Sequence, residues 1–142
     1  MVTKTIDICM IRQLNLFEKI TKIRTDSCFI FNNIMFFVVP KNLIYKAVGE
    51  KGKNIKKLSE ILSKRVKIIS MPDQNSFQEI NQFILDIINP IQPKGIEITE
   101  KEIIITAGNK VNKANLIGRD KQKLNDLEKI VKEWFEKELK II

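Results

Sequence analysis

The chain has 142 residues, 44% of them hydrophobic and 30% charged, with a formal net charge of +8. That balance fits one medium globular domain or two very small ones, and the 26 isoleucines can fill a core, which argues against disorder. The absence of histidine removes the commonest general base and the usual zinc ligand, and no apolar run reaches the roughly 18 residues that a membrane span needs. The most apolar stretch, Cys28 to Val39, is broken by Asn32 and Asn33. Asp7 interrupts the only place for a secretory signal, Met1 to Arg12. Cys9 and Cys28 make neither a disulfide framework nor a metal quartet, and read as small buried hydrophobes. The expectation is a reduced, soluble, cytoplasmic protein with no enzymatic activity, cofactor, catalytic residue or metal site, and no membrane or small-molecule partner.

From the N-terminus, Met10, Leu14, Phe17 and Thr21 follow helical spacing and predict a helix from Asp7 to about Lys22. Cys28–Phe31 and Ile34–Val39 read as strands joined at Asn32-Asn33, since asparagine tolerates the positive φ of a tight hairpin turn. Pro40 ends the second strand. A short helix over about Leu43 to Val48 is interrupted at Gly49 to Gly52, and a second, about Lys53 to Ser63, puts Ile55, Leu58, Ile61 and Leu62 on one face. Val66 to Ser70 closes this unit as a strand.

The same order then recurs. Ser76-Phe77-Gln78-Glu79 is a capping-box pattern, in which Ser76 accepts from the Glu79 amide and Glu79 bonds back. Phe77, Ile80, Ile84, Ile87 and Ile88 form the apolar stripe of the helix it starts. Strands are expected at about Ile96 to Thr99 and Glu102 to Ala107, then a short helix (Lys110 to Ile117), a turn at Gly118, a longer helix with Leu124, Leu127, Val131 and Trp134 inward, and a last strand at Leu139 to Ile142. An offset of 69 residues superposes Gly49 on Gly118, Ile55 on Leu124 and Leu58 on Leu127, and also pairs Ile34-Met35-Phe36 with Ile103-Ile104-Ile105. The reading is α+β, two tandem units over 1–72 and 73–142, each with three helices packed on a three-stranded sheet.

Charge is concentrated in one of the units. Lys41 to Lys67 holds nine basic residues against Glu50 and Glu60, a net of +7, whereas Met71 to Pro90 holds only Asp73, Glu79 and Asp86. Such a cluster suits a polyanion, whose counterions are released on binding. It surrounds Gly49-Glu50-Lys51-Gly52. Glycine at both ends lets the backbone turn sharply and keeps side chains out of a ligand's way. The helix that follows points its first amides at whatever sits over the loop, and Lys51 and Lys53 add charge there. A sugar-phosphate backbone fits this description, and a plain helix break is the alternative.

Val48-Gly49-Glu50-Lys51-Gly52-Lys53-Asn54-Ile55 resembles the signature of KH domains, a G-x-x-G loop between hydrophobic residues. The element order is similar to the type II form of that fold. Two such units in one short chain resemble the archaeal NusA-like transcription elongation and termination factors. Leu16-Phe17-Glu18 with Thr21, and Asp26-Ser27-Cys28, fall where that family carries similar residues. The resemblance implies that the loop clamps about four unpaired nucleotides. The backbone would lie on Gly49, Glu50, Lys51 and Gly52, with Lys53 and Asn54 beside it and Val48 and Ile55 under the bases. It implies single-stranded RNA and RNA polymerase as partners, and a role in modulating elongation, pausing, termination or antitermination. A ribosome-associated or ribosome-biogenesis KH protein that binds rRNA is the alternative.

Two departures from the family pattern stand out. The second loop reads Gly118-Arg119-Asp120-Lys121, so its second glycine is lost, and Pro40-Lys41-Asn42 replaces a stretch where the family has glycine. The second unit is therefore expected to bind RNA weakly or to serve as a structural half. Trp134 and Tyr45 are both read as packing residues in preference to base-stacking ones, and Asp26 as a cap or turn residue.

Overall fold

The computed structural model describes residues Ile8–Ile142, and the chain divides between Met71 and Pro72 into two compact units. The protein is α+β, with six α-helices and two three-stranded sheets among the described residues.

The first unit runs α1 (Ile8–Thr21), β1 (Cys28–Phe31), β2 (Ile34–Val39), α2 (Ile44–Val48), α3 (Lys53–Leu62) and β3 (Arg65–Ser70), with a 3-10 turn at Lys41–Leu43 leading into α2. Asn32 and Asn33 take φ of 51° and 61°, so both supply the left-handed residues that a two-residue hairpin demands. β1 pairs antiparallel with β2, and β3 returns parallel on the other side of β2. Alternate residues Met35, Phe37 and Val39 of β2, with Val66 of β3, face Phe17 of α1, Ala47 of α2 and Leu58 of α3 in one buried cluster. Phe17 and Phe37 stack with ring centroids 4.4 Å apart. The buried Thr21 hydroxyl is satisfied where α1 ends: it donates to the Phe17 carbonyl at 2.8 Å and accepts from the Ile23 amide at 3.1 Å. Asp26 lies in the following turn, where its carboxylate accepts from the Ser27 hydroxyl at 3.0 Å. Cys28 is half-buried, with Sγ 3.4 Å from Met10 Sδ. Asp7 and the Cys9 side chain lie outside the described residues.

The second unit runs α4 (Phe77–Ile88), β4 (Gly95–Ile98), β5 (Glu102–Thr106), α5 (Lys110–Ile117), α6 (Gln122–Phe135) and β6 (Glu138–Ile141), with the same pairing senses. α6 is four residues longer than α3. The added turn buries Trp134 and Phe135, whose rings meet Phe83 of α4 at 5.0 and 5.6 Å.

Four expectations need correction. The 69-residue offset holds for the loops and fails for the strands. Phe37 pairs with Cys28 and Met35 with Val66, as Ile105 pairs with Ile96 and Ile103 with Leu139, so the hairpin strands are related by 68 residues and the last strands, after the longer α6, by 73. Strand side chains alternate, and a one-residue slip would put Ile104 in the core in place of the fully buried Ile103 and Ile105. The missing residue is supplied by Gly108-Asn109, which lead into α5 where Pro40 stands alone in the first unit.

Ile61 is 54% exposed, because it lies about 60° beyond Leu58 around α3, on the side away from Ile55 and Leu62. Phe77 is also half exposed; it occupies the first turn of α4 and its ring meets Lys137 Nζ at 5.8 Å. Only half of the capping box forms. Ser76 accepts from the Glu79 amide at 3.3 Å, but the Glu79 carboxylate accepts from the Asp73 amide at 3.2 Å, and the Ser76 amide donates to the Asp73 carbonyl.

Candidate nucleic-acid interface

α2 ends where the Gly49 amide donates to the Tyr45 carbonyl at 3.0 Å. Gly49 then takes φ 82° and ψ 164°, a conformation that is essentially restricted to glycine. A Cβ built there would stand 2.9 Å from Asn54 Cγ and 3.0 Å from the Asn54 backbone nitrogen, so space forbids a side chain as firmly as the dihedral does. Lys51 (φ 54°, ψ 26°) and Gly52 (φ 75°, ψ 20°) are both left-handed, and the Gly52 amide donates back to the Gly49 carbonyl at 3.0 Å. A Cβ on Gly52 would meet nothing within 4 Å. The first glycine is thus fixed by the protein's own packing, and the last only by its dihedral and by whatever approaches from outside.

Asn54, in the first turn of α3, donates from Nδ2 to the Lys46 carbonyl at 3.3 Å. This bond ties the start of α3 to the end of α2 and holds the loop between them. Val48 and Ile55 are half-buried at the two helix ends, while Glu50, Lys51 and Lys53 are exposed.

Beyond the loop, α3 and the edge strand β3 border an open groove of about 660 Å³, lined by Ile55, Lys56, Ser59, Glu60 and Arg65 among others. Its lining joins two apolar side chains to two cations, two hydroxyls and a carboxylate, which suits a base with its phosphate. Ser59 donates to the Lys64 carbonyl at 2.7 Å, and Lys64 is drawn to Asn33 Oδ1 at 2.9 Å. Lys67 lies over the Phe36 ring at 5.9 Å. No carboxylate pairs with Lys41, Lys46, Lys51, Lys53, Lys56, Lys57 or Arg65 among the described residues, where the ion pairs are Lys132–Glu138 and Lys140–Glu102, both in the second unit. The first unit's excess charge therefore stands uncompensated around the loop and groove.

The second loop follows the same path. Gly118 takes φ 75° and ψ 176°, Asp120 φ 54° and ψ 29°, and Lys121 φ 62° and ψ 22°. A Cβ on Gly118 would lie 2.8 Å from Lys123 Cγ, as one on Gly49 would meet Asn54. Losing the second glycine has not changed the backbone. It leaves Lys121 in a left-handed conformation that costs an L-residue roughly 1–2 kcal/mol. Arg119, Asp120 and Lys121 are all exposed, with a carboxylate at the place that Lys51 holds in the first loop. The second unit also has Lys132 of α6 bridged to Glu138 of β6 at 3.4 Å, whereas Arg65, at the matching start of β3, has no carboxylate partner.

Sequence reasoning located the loops and passed over Arg65, Ser59 and Glu60, which only the packing of α3 beside an edge strand brings together. It also put Tyr45 inside. The ring is 94% exposed. No group of three or more Cys, Asp or Glu that could hold a metal occurs among the described residues, and none of their helices is long and apolar enough to cross a membrane.

No family model and no curated protein matches the chain. Among solved structures, the crystal structure of APE1850 is similar with a TM-score of 0.61 and 21% sequence identity, covering 96% of this chain and 100% of that one. At that identity the likeness speaks for a shared fold across both units.

Proposed function

We propose that the chain consists of two tandem type II KH-like units and binds single-stranded RNA, chiefly through its first unit. The observation that carries this reading is the Gly49–Gly52 loop, a sharp glycine-framed turn ringed by unpaired lysines and opening on the α3–β3 groove. Phosphates lie along Gly49, Glu50, Lys51 and Gly52 near Lys53, and bases turn toward Ile55 and Arg65. The second loop, Gly118 to Lys121, makes a weaker contact of the same kind. In the cell this is a cytoplasmic, non-enzymatic transcription factor that grips nascent RNA behind RNA polymerase and modulates pausing, termination or antitermination.

The test is a titration of single-stranded and duplex RNA at several salt concentrations. Single strands should bind better, with micromolar affinity (roughly −8 kcal/mol) and a strong salt dependence. Equal affinity for the two forms refutes the reading. Co-purification with polymerase subunits supports the transcription role, and co-purification with pre-ribosomal particles replaces it with an rRNA-binding one.

A further inference from the structure

Tyr45 is the chain's single tyrosine, and its ring is 94% exposed. It contributes nothing to the core that Ala47, two residues on, completes. The hydrogen bond from the Gly49 amide to the Tyr45 carbonyl puts it one helical turn, about 5.4 Å along the axis, before the first loop glycine. Helical side chains tilt toward the N-terminus, so the ring covers the turn that holds the exposed Lys41 and Asn42, with exposed Lys46 beside it. An aromatic face left bare among unpaired cations, one turn from the glycine-framed loop, has the elements of a stacking platform. Any base presents a π-face to it, and the lysines hold the flanking phosphates. The position 69 residues on is Ala114, also exposed, so the second unit has no such surface.

We propose that Tyr45 stacks on the base of the nucleotide adjoining the clamped phosphates, on the α2 side of the loop, while the α3–β3 groove takes bases on the other helix's side. This rests on the RNA-binding reading above and adds a base-contacting residue that the G-x-x-G loop and groove do not include.

The experiment measures binding of a labelled single-stranded RNA, with and without abasic sites, to the full chain and to Tyr45→Phe, Tyr45→Ala and the double loop variant Glu50→Asp/Lys51→Asp. Tyr45→Ala should weaken binding roughly 5- to 150-fold and leave the salt slope unchanged, because stacking releases no counterions. Tyr45→Phe should bind like the parent chain. With abasic RNA the alanine variant and the parent should converge. If Tyr45→Ala binds intact RNA as the parent does while the loop variant loses affinity, stacking is refuted and the RNA reading stands. If Tyr45→Phe falls with Tyr45→Ala, or abasic RNA still separates alanine from parent, the ring does not act by stacking. If the loop variant too binds unchanged, the RNA reading itself fails. Thermal unfolding of each variant checks that the exposed substitution leaves the fold intact.

Discussion

Replacing each glycine of the first loop by alanine should have unequal consequences, and the inequality follows from the geometry of the loop. At Gly49 the substitution forces an L-residue into φ 82° and ψ 164°, at a cost of roughly 1–3 kcal/mol. The new Cβ also meets the Asn54 side chain and backbone nitrogen at 2.9 to 3.0 Å. The side chain can swing away only by breaking its bond to the Lys46 carbonyl, an exposed bond worth about 0.5 kcal/mol, at the low end of its class. A total of about 1.5–3.5 kcal/mol results. At Gly52 the left-handed dihedral alone is penalised, by roughly 1–2 kcal/mol, since the added methyl meets nothing within 4 Å. For a unit of this size each kcal/mol lowers Tm by roughly 4–8 °C, so Gly49→Ala should cost about 6–28 °C and Gly52→Ala about 4–16 °C, with Gly49 the larger at any one slope. Far-UV circular dichroism melts of the full chain, with urea titrations beside them, measure both. Equal losses, or a larger loss at Gly52, would refute the assignment of Gly49 as the packing-constrained end of the loop.

Replacing Glu50 and Lys51 by aspartate removes a cation where phosphate should lie; Asp120 already holds the matching backbone conformation in the second loop, so stability should change by no more than about 0.5 kcal/mol. RNA affinity should fall and the salt slope should flatten by about one unit, which titrations at three salt concentrations detect. Lys121→Gly relieves the left-handed strain at φ 62° and, after the extra freedom of glycine in the unfolded chain, should stabilise by up to about 1 kcal/mol in a thermal melt. Its RNA affinity should rise if close backbone approach matters more than the lost charge, and a fall in affinity reverses that ranking.

The parts of this fold that were legible in the sequence are those fixed by local chemistry. Asn32-Asn33 announced the first hairpin because few residue pairs accept two positive φ angles, and Gly49 and Gly118 announced the loops because few accept their dihedrals at all. What escaped were properties set by distant partners. A repeat offset taken from glycines and helical phase carries no information about the extra Gly108-Asn109, yet one residue inverts the faces of a strand. Tyr45, Ile61 and Phe77 have apolar character that fits a core, but Ile61 and Phe77 stay about half exposed, Phe77 with Lys137 over its ring, and Tyr45 stays almost wholly exposed. The groove residues Ser59, Glu60 and Arg65 share no motif. They converge because a helix lies alongside an edge strand, which no spacing rule encodes.

The two loops show that backbone path and electrostatic character are separable in this architecture. Both helix pairs are joined by a Gly-only residue, one residue of ordinary φ and then two left-handed ones, so the second unit has kept the turn without the second glycine. Their differences lie in the side chains around that turn. Lys51 becomes Asp120, exposed Tyr45 becomes Ala114, and an unpaired Arg65 contrasts with a Glu138 neutralised by Lys132. Exposed ion pairs of this kind add little stability, in the range of about 0–1 kcal/mol, so the Lys132–Glu138 bridge is a weak reason for the second unit to fold. Its larger effect is on the field, since a paired lysine has its charge compensated and attracts phosphate less. The loops themselves differ little in charge, since Arg119 stands where Glu50 does, but the flanking helices and strand put the first in a window of net +7 (Lys41 to Lys67) and the second in one of net +3 (Lys110 to Lys140). That argues for placing the RNA-binding strength in the first unit's side chains, with its glycines as the frame that lets a backbone come close to them.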